Sequence, residues 1–283
     1  MEISAEMVKR MVAEQFPQWG NLEVRPVRRS GHDNRTFHLG ETMTVRLPSG
    51  EAYVPQIEKE ARWLPFLAKR LSLPVSSPIA QGKPGPEYPF PWSVNRYLEG
   101  ETAEESAVPD QNGFAEALAA FLKELQGIDT TGAPVGGSHN FYRGASLSIY
   151  DGETRQALSE LKRELPEEKI QAIWNRALGS EWPHPGVWIH GDVAPGNLLV
   201  KAGRLCGVID FGIMGVGDPS CDYAMAWTFF DAENRRVFLR GLDEGTVDRA
   251  RGWALWKALI TYKRPDGTTD PSARNTLKSI LDE

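Results

Sequence analysis

Apolar and polar residues alternate in four short runs of the first third of the chain: 22–29 (LEVRPVRR), 35–39 (RTFHL), 42–47 (TMTVRL) and 92–98 (WSVNRYL). A period of two bounded by Gly, Asn and Ser turns predicts strands of a small sheet. Between the third and fourth runs the period changes, with Ile57, Ala61, Leu64, Ala68 and Leu71 recurring at helical spacing. One main helix is expected there, kinked or divided at Pro65, which has no amide hydrogen to donate. The opening residues MEISAEMVKRMVAEQF read as an amphipathic helix. After EGE (99–101) helical patterns dominate, at 111–126, 151–164, 166–178 with Pro166 suited to a first turn, 220–241 and 245–263. Short apolar runs occupy 187–212, and GIDTTGAPVGGSHN (127–140) reads as a long loop. The pattern predicts an α+β chain, with a strand-rich N-terminal lobe over residues 1–98 and a larger, mostly helical C-terminal lobe over 99–283.

Composition narrows the class without changing this picture. A chain of 283 residues can bury a full core, and 41% hydrophobic with 25% charged residues is ordinary globular usage. The net charge of -6 comes from interspersed residues of both signs, which disfavours a nucleic-acid partner. Two cysteines, Cys206 and Cys221, are too few for a disulfide framework or a zinc site. No run approaches the roughly 18 apolar residues of a membrane span, and the N-terminal helix lacks the apolar centre of a signal peptide. The expectation is a cytoplasmic protein with no membrane partner.

Chemistry enters at HGDVAPGN (190–197), where Asp192 and Asn197 stand five positions apart, and at IDFG, which puts Asp210 thirteen positions further on. A loop H-x-D-x-x-x-x-N followed by D-F-G is the working end of a phosphoryl-transfer site. The first Asp accepts the proton of the attacking hydroxyl, and the Asn and second Asp offer oxygen ligands to magnesium. These residue types suit a reaction in which the protein mainly positions reactants and neutralises phosphate charge. Pro195 and Gly196 set the turn that presents both side chains. His190 reads as a brace of this loop.

HGDVAPGN with Gly191 where eukaryotic protein kinases have Arg, VIDFG, and the downstream GDPSCDYAMAW together resemble the aminoglycoside phosphotransferase family. The resemblance covers most of the chain. It implies a two-lobed protein-kinase-like fold with a small antiparallel sheet in the first lobe. It also implies Asp192 as catalytic base, Asn197 and Asp210 as ligands of Mg2+, ATP or GTP as donor, and a small-molecule hydroxyl as acceptor. Asp218 and Asp222 match acidic positions that brace the segment after the metal site.

A site of this type also needs a strand cation on the α- and β-phosphates, paired with a helix Glu. TVRLP offers Arg46 where the family usually has Lys, and Glu60 follows on the helix; Arg35 is the rival. Arg keeps the charge and binds phosphate through a planar fork. SGHDNRTF (30–37) occupies the place of a phosphate-covering loop, with backbone amides of His32, Asp33 and Asn34 facing the phosphates. By family resemblance the backbone of Arg96 and Leu98 in SVNRYLEGE meets the base edge. For the acceptor two walls compete. Acids (Asp231, Glu233, Asp243, Glu244) suit a polycationic aminoglycoside, and aromatics (AWTFF, Trp253, Trp256) suit a bulky apolar compound such as a macrolide. An aromatic helical stripe is more often core, and scattered helix acids are more often solvated. A kinase of a small metabolite alcohol and a nucleotide-binding pseudokinase remain alternatives. A protein kinase is disfavoured, because GDPSCDYA follows DFG too closely to leave an activation segment.

Overall fold

The computed structural model describes residues 2–28, 30–31 and 33–283. The chain forms two compact units, Met1–Glu101 with Cys206–Gly212, and Thr102–Leu205 with Ile213–Glu283.

In the first unit, α1 (Ala5–Gln15) starts where the Ser4 hydroxyl accepts the Met7 amide at 3.3 Å. Strands β1 (Val24–Pro26), β2 (Asn34–Leu39), β3 (Met43–Pro48), β4 (Pro78–Gly82) and β5 (Trp92–Arg96) form one antiparallel sheet in the order β1-β2-β3-β5-β4. Strand alternation divides its two faces. Phe37, Leu39, Val45, Leu47, Trp92 and Val94 pack with Met7, Val8, Met11 and Val12 of α1, and each buried aliphatic side chain contributes about 1.5–3 kcal/mol. The opposite face carries Thr44 and Arg46, in register with Asn95 and Ser93, and all four are buried. Helix α2 (Val54–Leu67) supplies Glu60 to that face.

The main helix does not end at Pro65; it runs on to Leu67. Leu64 and Leu67 are fully buried, and their packing outweighs the one hydrogen bond that Pro65 cannot make. Strand β4 was not expected. Its sequence PIAQG opens on Pro, closes on Gly and is bulged between Pro78 and Ala80, as an edge strand allows, so no alternation of useful length marks it.

The chain passes through β6 (Glu101–Thr102) into the second unit. This unit contains α3 (Gln111–Gln126), α4 (Asp151–Leu161), α5 (Glu167–Leu178), and β7 (Val187–Ile189), which leads into the 190–197 loop. Strand β8 (Leu198–Lys201) follows, and β9 (Arg204–Val208) carries the chain back into the first unit. On its return, β10 (Gly215–Gly217) pairs antiparallel with β7. The helix expected over 220–241 is broken into a 3-10 turn (Pro219–Tyr223), α6 (Met225–Thr228) and α7 (Ala232–Phe238). The break lies at Asp231, whose carboxylate accepts the amides of Glu233 and Asn234 at 2.9 Å and starts a new helix. Helix α8 (Glu244–Ile260) follows, then α9 (Pro271–Leu281), which sequence periodicity missed although Asp270 caps it and Pro271 opens it. No helix among the described residues is long and apolar enough to cross a membrane.

Candidate active site

In the second unit, β7 delivers His190, Gly191 and Asp192 into a tightly held turn. Gly191 has φ +85°, and a Cβ there would lie 2.6 Å from the carbonyl oxygen of Ile213, so glycine alone fits. His190 is fully buried, and its Nδ1 accepts the amide of Asp192 at 3.1 Å. Asp222, also fully buried, accepts the amides of His190 (2.8 Å) and Gly191 (2.7 Å) with its two oxygens. Burial pushes the Asp222 carboxyl up, while His190 and the two amides pull against it. Asp222 is a brace of the loop. Asp218 braces the segment just before it in a similar way, accepting from Ser220 and from Arg249 Nε at 2.7 Å.

The ionisable side chain this scaffold presents outward is Asp192, which is exposed. Asn197, closing the 3-10 turn Pro195–Asn197, donates its Nδ2 to Asp192 Oδ2 (3.0 Å) and to the Asp192 carbonyl (2.9 Å). That orientation turns Asn197 Oδ1 away, without a partner among the described residues. Asp222→Asn leaves one loop amide without an acceptor. Stability is expected to fall by about 1–3 kcal/mol, read by denaturant unfolding, with the wild-type midpoint as the contrary result.

The first unit holds the other half of the motif. Arg46 Nη1 donates to both oxygens of Glu60 (2.8 and 2.9 Å), and Nη2 donates to Asp210 Oδ1 (2.8 Å). Glu60 is 1% exposed and Arg46 8%. Burial opposes the Arg46 charge, but Glu60 and Asp210 outweigh it and hold the guanidinium above its ordinary range. Burial pushes Lys59, the neighbour of Glu60, down to about 8. Asp210 has φ +63°, a left-handed backbone that costs a non-glycine residue about 1–3 kcal/mol. Such strain persists where surroundings impose it, and the Arg46 bridge is one such restraint. Asp210 Oδ2 has no partner among the described residues.

Sequence reasoning missed Gln56. Its Nε2 donates to Asp33 Oδ2 at 3.0 Å, and a Cβ on Gly212 of D-F-G would lie 2.6 Å from its Oε1. The signal was a buried Gln four residues before Glu60, on the helix face that also carries Ile57 and Leu64.

Other candidates vary. His32 lies outside the described residues. Asn34 is buried at the start of β2, its carbonyl accepting from Ser30 Oγ (3.0 Å) and its side-chain Oδ1 without a partner among the described residues. Arg35 directs Nη1 to the carbonyl of Gly31 at 2.8 Å. The Arg96 amide already donates to the carbonyl of Ser77 at 3.2 Å, whereas the Leu98 backbone carries no hydrogen bond among the described residues. Of the acids considered for the acceptor, Asp231 and Asp243 are helix caps, and Glu233 and Glu244 are exposed first-turn residues. Trp227, Phe230, Trp253 and Trp256 are buried.

Residues 23–259 match the sequence profile of the APH phosphotransferase enzyme family, and the chain belongs to that family. Among curated relatives, the aminoglycoside 3'-phosphotransferases of Escherichia coli and Salmonella typhimurium are each 26% identical over 168 residues, 56% of this chain. The match spans 61% of their length, about three fifths. Among solved structures, the GDP complex of aminoglycoside 2'-phosphotransferase-IIIa superposes with a TM-score of 0.72 at 18% identity, covering 99% of this chain and 98% of that one. Macrolide 2'-phosphotransferase MphH from Brachybacterium faecium gives 0.60 at 20% identity, covering 90% and 88%. At these identities the likeness is one of fold, and it is the kinase-like α+β fold that the sequence implied.

Proposed function

We propose that the chain is a magnesium-dependent phosphotransferase that moves the γ-phosphoryl group of ATP or GTP to a hydroxyl of a small molecule of the aminoglycoside or macrolide type. The observation that carries this reading is the exposed Asp192 carboxylate, aimed by Asn197 on a loop whose backbone amides are tied to Asp222. A carboxylate so placed accepts the proton of an attacking hydroxyl. Asn197 Oδ1 and Asp210 Oδ2 are oxygen donors without partners among the described residues, the chemistry a hard cation requires. When bound, magnesium would offset the negative charge of the donor phosphates. Arg46 keeps Nε and one hydrogen of Nη2 for phosphate, beyond those spent on Glu60 and Asp210.

Buried polar atoms support a polar ligand on the Arg46 face of the sheet. Among the described residues, Ser93 Oγ and both amide atoms of Asn95 have no partner, and nor does Asn34 Oδ1, although buried polar groups are ordinarily hydrogen-bonded. With the open backbone of Leu98, they fit a nucleotide.

The test is magnesium-dependent release of nucleoside diphosphate with a panel of aminoglycosides, macrolides and amino alcohols. Turnover with an antibiotic-type acceptor is expected. Asp210→Ala should weaken nucleotide binding on the order of 10–100-fold in magnesium and little in its absence. Turnover confined to amino alcohols would make this a metabolite kinase. Nucleotide binding without any turnover would make it a pseudokinase.

A further inference from the structure

The turn at Phe141 and Tyr142 puts two consecutive large non-glycine residues in left-handed backbone, which the phosphotransferase reading leaves unexplained. Both residues have positive φ, 51° and 55°, a conformation that non-glycine residues with large side chains avoid. Both rings are exposed, 49% and 37%, so the strain does not serve the core. Strained backbone of this kind clusters at ligand clamps and active sites. The next residue ties the turn to the catalytic loop: Arg143 Nε donates to the carbonyl of Gly191, immediately before Asp192, at 3.2 Å.

Behind the turn stands an aromatic wall. The Arg143 guanidinium lies 5.0 Å from the ring centres of both Trp253 and Trp256. Tyr150 stacks on Trp256 at 4.1 Å and donates its hydroxyl to the carbonyl of Phe141 at 2.6 Å. Two features of this wall point to a ligand. Trp253 is 3% exposed, yet its indole N–H has no acceptor among the described residues, and a buried donor is rarely left so. Arg143 donates to the carbonyls of Gly191 and Phe141 and forms no ion pair among the described residues. Glu153, the carboxylate of this cluster, already accepts from Trp256 Nε1 at 2.6 Å.

We propose that Phe141, Tyr142 and Arg143, backed by Tyr150, Trp253 and Trp256, form the acceptor subsite. Its ligand is a bulky, largely apolar hydroxyl compound whose own carbonyl or ether oxygens accept hydrogen bonds, not a polyamine. Exposed rings cover apolar surface, and the indole N–H and guanidinium meet acceptor oxygens. A guanidinium on this wall without a direct ion pair among the described residues disfavours a polycation relative to a neutral ligand. This inference rests on the phosphotransferase reading for its choice of role, but the binding itself is independent of turnover.

The test replaces both rings with asparagine, Phe141→Asn with Tyr142→Asn, because asparagine tolerates the left-handed backbone and preserves the turn. A macrolide lactone, an aminoglycoside and a small amino alcohol are compared in two assays. One is diphosphate release; the other is a titration without nucleotide followed by tryptophan emission. The lactone is expected to be the preferred acceptor. In the double variant its KM and its Kd should rise about tenfold, while nucleotide affinity and the thermal midpoint hold. Lactone binding that the double variant loses, without turnover of any compound, would keep the subsite and refute the phosphotransferase. Turnover of the aminoglycoside with a KM indifferent to the double variant would keep the phosphotransferase and refute the subsite. Absence of lactone binding to the wild type refutes the subsite outright.

Discussion

Asp192→Ala is expected to lower turnover by about 10²–10⁴-fold, the range for a positioned general base, while magnesium-nucleotide affinity stays within about twofold of wild type. The structure separates this side chain from the loop's own stability. The amides of His190 and Gly191 go to Asp222, and the amide of Asp192 goes to the buried His190 ring. The Asp192 carboxylate is exposed and accepts from Asn197 Nδ2. That amide also donates to the Asp192 carbonyl, which the substitution leaves in place. The variant should therefore fold, and thermal unfolding should confirm it before rates are compared. Asp192→Asn is the second arm: it keeps the shape and one acceptor oxygen but has no basic carboxylate, so it should be nearly as slow as Asp192→Ala. Steady-state rates and calorimetric titration with nucleotide decide the matter. A folded Asp192→Ala variant that turns over at the wild-type rate, or one that loses nucleotide binding along with turnover, would remove Asp192 from the role of base.

How far this site could be read from sequence depends on how local each region of it is. Asp192, Asn197 and Asp210 fall within nineteen consecutive positions, 192–210, so their spacing alone suggests the proposed chemistry. The Arg46–Glu60 contact was legible at one remove, because strand alternation and helix periodicity assign each residue a face. What stayed hidden is what only tertiary contact decides. The fully buried Asp222 ties down two amides thirty-one and thirty-two positions earlier in the chain, whereas the family resemblance implied a brace of the segment after the metal site and named none of these partners. Gln56 looks like one more polar helix residue until Gly212 is found against it. Phe141 and Tyr142 fall just after a segment read as a long loop, and nothing in their types announces positive φ, since the residues that usually adopt it are Gly, Asn and Asp. The acidic and aromatic sets proposed for the acceptor divide along the same line. Asp231 and Asp243 are consumed as helix caps and most of the aromatics as core. The rings that remain exposed belong to the strained turn.

The second large effect concerns Arg46, and it is an effect on folding before it is one on binding. Glu60 is 1% exposed, and Arg46 Nη1 bonds both of its oxygens. Arg46→Met leaves that carboxylate buried without its partner, at a cost of about 3–5 kcal/mol to the first unit. Arg46→Lys should recover some of the loss, since it restores charge but cannot span Glu60 and Asp210 with a fork. The pH dependence has a definite sign. Burial already raises the Glu60 carboxyl above its ordinary value while Arg46 holds it down, so removing Arg46 raises it further. A carboxyl whose folded-state pKa exceeds its unfolded value favours the fold below the unfolded value, and that contribution is lost as pH rises through the folded value. The deficit of Arg46→Met should therefore be small in acid and widen toward neutrality. The double variant Arg46→Met with Glu60→Leu removes both charges, and an apolar pair in place of a buried ion pair is often neutral or stabilising. It should recover most of the stability and lose the extra pH dependence, while Asp210, 41% exposed at its side chain, tolerates the loss of its bridge. Denaturant unfolding of wild type, single and double variants between about pH 4 and 8 measures all of this. A deficit independent of pH, or one that the double variant fails to repair, would show that the buried Glu60 charge is not what Arg46 holds in place.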